Sequence, residues 1–311
     1  MASDERAALL VWDGPPDTAR YALLRTHPNF PAWVQSFARA MLEAGDNDPL
    51  LDGILKDAGR NAAAMLTAHL HFSGGISLPQ LKTLCVSLGL VSRGRARALL
   101  LYMRYLGYVR PTTDRPSGPA TIYVATPKFL KTWCAMQTKI LESLDIIVPA
   151  ARLGQHHPFS VEQIARFTCF LSEGFLSTAP QIDRNAPYFR VFMHSHAGIQ
   201  IVHSLLAASA DGFPPQAPIA LSLARTAARF RVSRVHVRRV LAAGERNGLL
   251  RLCEGSGVAF EPEGRAALDF IFSTQLLQFL RAAAQTFRNQ PRDDTAFPMQ
   301  AHERAENAAG L

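Results

Sequence analysis

One segment of this sequence occurs twice, and this repeat constrains the fold more than any other feature. Residues 91–110 (VSRGRARALLLYMRYLGYVR) align without a gap on residues 232–251 (VSRVHVRRVLAAGERNGLLR). The identical pairs are Val91/Val232, Ser92/Ser233, Arg93/Arg234, Arg97/Arg238, Leu100/Leu241, Gly107/Gly248 and Arg110/Arg251. Just upstream the matches, such as Leu88/Phe230, are displaced by a single position, so one residue is gained or lost between them. A repeat of this length predicts two copies of one structural unit.

Each copy is predicted to form a helix, a tight turn, a second helix and the start of a strand. In the second copy the spacing A-x-x-F-x-V-S runs from Ala227 to Ser233. The Ser233 hydroxyl can accept an orphan backbone N–H and so cap the second helix. A buried face follows at helical spacing in both copies: Val237, Val240 and Leu241, matched by Ala96, Leu99 and Leu100. Gly248 then predicts the end of the helix.

The rest of the chain supplies further helices and two short β-loops. Helices are predicted at Ala32 to Ala44, Leu51 to His71, Lys128 to Val148, Ser160 to Leu176, Tyr188 to Ala208 and Glu263 to Phe287. Two strands around residues 112–121, and a shorter loop at residues 254–257, are predicted to form "wings". The repeat also extends weakly upstream, where Ala58-Gly59 matches Ala197-Gly198.

These patterns predict a division of the chain into five parts. We expect an N-terminal helical segment (1–57), a first module with its closing helix (58–148), a linker and helical segment (149–194), a second module with its closing helix (195–287) and a disordered tail (288–311). The linker is placed at Pro149 to Pro158 because prolines and a glycine interrupt the helical pattern there. The names first module and second module are kept below.

The composition favours an anionic partner. The formal net charge is +8, and 28 arginines stand against 5 lysines. Guanidinium groups suit bidentate recognition of phosphates and guanine edges, although a GC-rich genome also favours arginine codons. The four cysteines form no C-x-x-C pair, and no apolar run reaches the length of a membrane span. The start of the chain has no signal-peptide core, so we expect a cytoplasmic protein that does not contact a membrane.

The order helix, helix, strand, loop, strand, proline and helix resembles the winged helix-turn-helix of the MarR-like bacterial transcription regulators. Residues 258–268 (VAFEPEGRAAL) are similar to the strand-proline-helix passage that follows the wing in those regulators. The resemblance covers roughly residues 58–145 and 195–287. Those regulators usually carry one module in each chain and dimerise, whereas this chain has two. The resemblance therefore implies a mainly α fold with small β-wings, built as two tandem winged helix-turn-helix domains on a helical platform.

In such modules the second helix enters the major groove of double-stranded DNA. Residues 225–251 of the second module contain eight arginines and one acid, Glu245. We expect His236, Arg238 and Arg239 to face outward toward base edges, and arginines before that helix to contact phosphates. The candidate DNA-binding residues of this module are Arg225, Arg229, Arg231, Ser233, Arg234, His236, Arg238 and Arg239. A solvated basic face on a protein-binding module is the alternative interpretation.

The first module is the less basic of the two. Its candidates are Arg93, Arg95 and Arg97 at the start of the second helix and Arg115 in the wing. The most outward stripe of that helix is predicted to be Gly94, Ala98, Leu101 and Tyr105. An apolar stripe suits packing against a protein surface better than insertion into a DNA groove, so the two modules could have different partners.

No residue pattern indicates an enzyme, a metal site or a bound cofactor. The nucleotide-binding and nucleophile-elbow motifs are absent from the sequence. The pairs His69/His71 and His194/His196 are spaced i, i+2, and such positions do not share a helix face. From the resemblance and the basic second helices we predict a sequence-specific transcription regulator acting as a single-chain pseudo-dimer. Replication initiation by tandem winged helices and a protein-interaction scaffold remain alternatives, and the resemblance also implies a small-molecule effector and leaves a homodimer open.

Overall fold

The computed structural model describes residues 10–11, 17–112, 121–155 and 158–288, and it is mainly helical with two small antiparallel sheets. This confirms the predicted class at that level. The elements of the first half are α1 (Thr18–Arg25), α2 (Phe30–Asn47), α3 (Pro49–Ile54), α4 (Ala58–Phe72), β1 (Ile76–Ser77), α5 (Leu78–Leu88), α6 (Arg93–Tyr105), β2 (Val109–Pro111), β3 (Ile122–Ala125) and α7 (Pro127–Ser143). A 3₁₀ turn, Leu144–Ile146, follows α7.

The second half repeats this order of elements. It comprises α8 (Ala150–Leu153), α9 (Val161–Thr178), a 3₁₀ turn (Ala179–Gln181), a π-helical turn (Phe189–Met193), α10 (Gly198–Ala208), β4 (Ile219–Ala220), α11 (Leu223–Arg229), α12 (Arg234–Arg246), β5 (Leu250–Cys253), a 3₁₀ turn (Glu254–Ser256), β6 (Gly257–Phe260) and α13 (Pro262–Arg288). The helix α9 begins with a capping box, in which Ser160 and Gln163 satisfy each other's backbone N–H groups.

The two sheets have the same strand order and the same register. The orders are β1-β3-β2 and β4-β6-β5. Val109 pairs with Ala125 as Leu250 pairs with Phe260, and Ile76 pairs with Tyr123 as Ile219 pairs with Val258. The sequence predicts only two strands in each wing. The additional strands β1 and β4 are single dipeptides, which are too short to produce a period-two pattern.

Equivalent hydrogen bonds define α6 and α12. The hydroxyls of Ser92 and Ser233 cap the two helices, accepting from the backbone N–H of Arg95 and His236. Gly107 and Gly248 end them with a left-handed backbone, φ 72° and 67°, which glycine adopts without steric cost. The next residue in each case then donates back to the helix at 2.9 Å, Tyr108 to Met103 and Leu249 to Gly244. The repeat therefore extends to individual hydrogen bonds.

The helical platform exchanges helices between the two halves. Within each half, α2 packs on α7 and α9 packs on α13. Between the halves, α2 packs on α10 and α9 packs on α4. Buried aromatic rings fill the centre, where Trp33 stacks on Phe37 and both lie against Phe279 of α13. Since burying one such side chain contributes about 1.5–3 kcal/mol, this cluster holds the two halves together as one core.

The two fully buried tryptophans of the platform have hydrogen-bond partners for their indole N–H groups. The indole N–H of Trp33 donates to Ser143 Oγ, and that of Trp133 donates to Thr168 Oγ1, each at 3.1 Å. The second of these bonds joins α7 of the first half to α9 of the second. Satisfied indole groups allow full burial of both rings without a desolvation penalty.

Three predicted helices are interrupted or shortened. The predicted helix from Leu51 to His71 divides into α3 and α4, because Asp57 leaves the helix and caps α4 through the Arg60 N–H at 2.9 Å. The predicted helix from Tyr188 to Ala208 divides before α10, at Ala197, whose φ is 57°. The helix α7 ends at Ser143, short of the predicted Val148, and a 3₁₀ turn replaces its last residues.

The predicted linker is not a free tether. The short helix α8 lies inside it, and Val148 and Leu153 on either side of Pro149 are buried in the core. Most of the first predicted wing loop (113–120, with Arg115) and the predicted tail beyond Arg288 lie outside the described residues. The five-part division of the chain stays a prediction. Within the described ranges, none of the helices is both long enough and apolar enough to cross a bilayer.

Candidate nucleic-acid interface

The exposed face of α12 is basic. Arg234, Arg238, Arg239 and Arg246 are exposed on it, and none of them forms an ion pair with a residue that the structure describes. The opposite face is buried through Val237, Val240, Leu241 and Gly244, as the spacing predicts. Because the buried face fixes the helix and the arginine side chains face solvent, this surface can approach an anionic partner without breaking an internal contact.

The arginines before α12 occupy different environments. Arg225 is exposed, and its backbone N–H is used by the Ser222 cap of α11. Arg229 is paired with Asp46 at 2.6 Å across the two halves. Arg231 is exposed and lies in the turn between α11 and α12. Its φ of 51° is a left-handed conformation, which costs a residue with a Cβ about 1–2 kcal/mol.

His236 does not face outward as predicted. Its ring is half-buried, and Nε2 lies 2.7 Å from the carbonyl oxygen of His196. Since a carbonyl oxygen only accepts, Nε2 must carry the proton in this contact. The Ser233 hydroxyl, another candidate, accepts the His236 backbone N–H at 3.0 Å as the helix cap. Both side chains therefore help to hold α12 in its position.

The first module presents a mixed surface. Arg93 and Arg97 are exposed on α6, whereas Arg95 is part-exposed and pairs with the buried Asp57 at 2.7 Å. Leu101 and Tyr105 are 48% and 86% exposed, so the predicted apolar stripe does reach solvent. Arg104, which is not among the predicted DNA-binding residues, is exposed in the last turn of α6.

The residues that hold α6 and α12 were not predicted as functional. They are Asp57 and His196, which directly precede α4 and the turn into α10. Their only sequence signal is the weak match between Ala58-Gly59 and Ala197-Gly198, which places Asp57 and His196 at equivalent positions of the repeat.

A cavity of about 190 Å³ lies between the two halves. Its walls are mostly aromatic and aliphatic, with Trp133 from the first half and Phe279 from the second. Leu88 and Leu90, which lead from α5 into α6, form part of the wall. Gln137 also lines it, and the buried Oε1 of this side chain accepts no hydrogen bond within the described part of the chain. The cavity is therefore a mainly apolar space with the Gln137 amide in its wall.

Burial lowers the pKa of four histidines, which are His69, His71, His196 and His203. Burial lowers the pKa of His203 to about 4, and this ring packs edge-on against Phe37 and Phe272. Burial also lowers the pKa of His69 and His71. For His196, burial is the main cause of a lowered pKa, and the nearby cations Arg60 and Lys56 add to it. In the described ranges, no cluster of three His, Cys, Asp or Glu side chains could hold a metal ion.

Comparisons with family models, with curated proteins and with solved structures find no match to this chain.

Proposed function

We propose that this protein is a sequence-specific double-stranded DNA-binding transcription regulator, and that its two modules are tandem winged helix-turn-helix domains acting as a single-chain pseudo-dimer. The observation that carries the proposal is the exposed face of α12, the serine-capped second helix after the turn from α11. Four arginines without an acidic partner in the described structure lie on this face. Guanidinium groups on such a face supply both phosphate attraction and bidentate contacts to guanine.

The contacts of each candidate suggest its role. Arg238 and Arg239 of α12 are our candidates for base edges, with Arg225 and Arg234 for phosphates. Arg229 can also reach DNA, because an exposed ion pair such as Arg229–Asp46 contributes only about 0.2–1 kcal/mol and is readily exchanged. Arg95 is a poor candidate, since its removal would leave the buried Asp57 carboxylate with one cation fewer.

A salt titration of DNA binding tests the proposal. We expect the logarithm of the affinity to fall linearly with the logarithm of the salt concentration, with a slope of about −0.9 for each phosphate neutralised. Arg238→Ala with Arg239→Ala should weaken binding to a selected duplex by at least about tenfold, since each bidentate contact contributes about 1–3 kcal/mol.

The matched control removes the same charge elsewhere. Arg39 and Lys131 are exposed on α2 and α7 of the platform, and replacing both by alanine should leave the affinity within about twofold. Affinity that does not respond to salt, or an equal loss in the control and the α12 variant, would contradict the proposal. A footprint on direct repeats instead of inverted repeats would favour the replication-initiator alternative.

A protein-binding role for the first module is the second candidate. The observation that favours it is the exposure of Leu101 and Tyr105 among the arginines of α6. Replacing both by serine separates the two functions: loss of a protein partner with DNA affinity retained supports docking, whereas an equal loss of DNA affinity supports a second reading helix.

The cavity between the halves is where we propose that a small-molecule effector would bind. An apolar cavity of about 150 Å³ accepts benzene, so one of about 190 Å³ is large enough for a small aromatic ring. A hydroxyl or N–H on that ring could donate to Gln137 Oε1. A thermal-shift screen of phenol and indole against toluene tests this, and Gln137→Leu should remove any preference for the donor-bearing compounds.

A further inference from the structure

Four residues meet where the two halves touch beside α6 and α12. We call Lys56, Asp57, His196 and Ala197 the junction. Lys56 and Asp57 lie in the break between α3 and α4, and His196 and Ala197 lie in the break between the π-helical turn and α10. The central link is a backbone hydrogen bond of 2.9 Å from Ala197 N–H to the Lys56 carbonyl oxygen. The two breaks are therefore joined directly.

One side of the junction holds α6. The guanidinium of Arg95 donates to Asp57 Oδ1 at 2.7 Å, and the same oxygen accepts the Arg60 N–H that begins α4. Asp57 is 3% exposed. A buried carboxylate needs its donors, so the position of Arg95 on α6 is tied to the start of α4.

The other side of the junction holds α12 and its preceding turn. The carbonyl oxygen of His196 accepts from His236 Nε2 at 2.7 Å. The ammonium of Lys56 donates to the carbonyl oxygen of Phe230, the last residue before the turn into α12. Lys56 is 5% exposed and paired with Asp52 at 2.9 Å, and Asp52 accepts in turn from Gln200 of α10.

The contacts on the two sides are equivalent in the repeat. Asp57 and His196 each directly precede the matched Ala-Gly pairs, so they align with each other. Arg95 and His236 align in the gap-free match of the two helices, and both are the third residue of their helix. Each module therefore uses the same position to attach its second helix to the junction. Ala197 adopts a left-handed backbone there, which for alanine requires support from its neighbours.

We propose that the junction fixes α6 and α12 in one relative position, and that it thereby sets the spacing of the two half-sites on DNA. The second part rests on the proposed function. Lys56, Asp57 and His196 are in this view positioning residues that do not contact DNA. A chain with two linked modules gains avidity only when both can bind at once, so a fixed junction admits one spacing and one helical phase.

The junction can be loosened by removing its buried ions Asp52, Lys56 and Asp57 together. Arg60, which also pairs with Asp57 at 3.2 Å, keeps its bond to the Gly53 carbonyl oxygen. In the variant Asp52→Asn, Lys56→Met, Asp57→Ser, serine still caps α4 but is too short to reach Arg95. Methionine keeps the apolar stem of lysine without a donor for Phe230, and asparagine keeps an acceptor for Gln200. The control variant Glu43→Gln, Lys139→Met removes an exposed ion pair of 3.3 Å between α2 and α7. Thermal unfolding establishes that both variants are folded.

The first measurement does not involve DNA. Spin labels at Ala98→Cys and Val235→Cys, exposed positions on α6 and α12, report the distance between the helices in a background with the four native cysteines replaced by alanine. We expect one narrow distance distribution in the parent and the control, and a distribution about twice as broad in the junction variant. Equal widths in all three would overturn the proposal.

The second measurement uses duplexes with two half-sites separated by increasing numbers of base pairs. Inserting about five base pairs, half a helical turn, should lower the affinity of the parent at least about 30-fold and that of the junction variant less than about fivefold. The affinities of the parent and of the junction variant for a single half-site should agree within about twofold. A parent that tolerates the insertion overturns the fixed spacing. If no duplex binds at all, the proposed function fails and the spin-label distances still decide whether the junction is rigid.

Discussion

The second helices of the two modules share their ends and buried faces but differ in what they expose. Both α6 and α12 are capped by serine and ended by glycine with the same hydrogen bonds. On the surface, α12 carries arginines around one exposed apolar residue, Val235 at 69%, whereas α6 interrupts its arginines with Leu101 and Tyr105. The residues that specify the backbone are therefore shared by the two modules, while the residues available to a partner differ.

The largest expected difference between the modules is in DNA affinity. Arg238→Ala with Arg239→Ala should cost about 2–6 kcal/mol of binding free energy if both side chains make bidentate base contacts. Replacing the exposed Arg93 and Arg97 of α6 by alanine should cost less than half as much binding free energy, because the neighbouring apolar stripe disfavours insertion of α6 into a groove. Fluorescence anisotropy at one fixed salt concentration measures both. Equal losses would show that the surfaces are functionally equivalent despite their composition.

A pH titration should detect one buried position at which the two halves of the platform differ. When Ala197-Gly198 is aligned on Ala58-Gly59, His203 of α10 stands where α4 has Ala64, and burial lowers the pKa of this histidine to about 4. The unfolded chain takes up this proton near pH 6.5 and the folded chain does not, so stability should fall as the pH decreases from about 6.5 to 4. The loss amounts to roughly 3 kcal/mol at pH 4.

Denaturant unfolding at pH 7 and pH 4.5 measures this loss. The variant His203→Phe should reduce it, and the remainder should come from His69, His71 and His196, whose pKa values are also lowered. An unchanged pH dependence in His203→Phe would show that this ring is not buried in its neutral form.

A smaller difference is expected at the turn between the two helices. The left-handed position is Gly89 in the first module and Arg231 in the second. Arg231→Gly should be more stable than Arg231→Ala by about 1 kcal/mol, because both remove the side chain and only glycine relieves the backbone. The change Gly89→Ala should destabilise, because φ 72° is strained for a residue with a Cβ. The new Cβ would also displace the Arg184 guanidinium, which donates to the Leu88 carbonyl oxygen. Chemical denaturation compares the three variants.

The smallest effect is expected from the exposed end of α6. Tyr105→Ser should change the free energy of unfolding by no more than about 0.5 kcal/mol, because the ring is 86% exposed. We expect DNA affinity to change less than about threefold. A loss of DNA affinity comparable to that of the α12 arginine variant would indicate that α6 also contacts DNA, and the proposed difference between the modules would then be wrong.

Much of the fold could be predicted from local patterns. The serine caps, the ending glycines and the buried faces of α6 and α12 are determined by residues within one or two turns of each other, and all appear where the spacing places them. The short strands β1 and β4 could not be predicted, because a dipeptide forms a strand only when another strand is there to pair with it.

The candidate site could be predicted less completely from local patterns. Helical periodicity identifies the face opposite the core, so Arg234, Arg238 and Arg239 could be assigned to the surface. It does not reveal that Arg95, Arg229 and His236 meet Asp57, Asp46 and the His196 carbonyl, since these partners are distant in the chain.

Periodicity, caps and turn residues act over short stretches of chain, and they were sufficient to specify a mainly helical protein with a repeated unit. The exchange of helices between the halves became visible only in the folded molecule. The same is true of the two apparently continuous helices that break at equivalent places to form the junction. The break at Ala197 depends on a hydrogen bond to the distant Lys56 carbonyl oxygen, because alanine by itself favours continuing the helix. At Asp57 the cap on the Arg60 N–H is local, and the distant Arg95 adds a second donor to the same carboxylate.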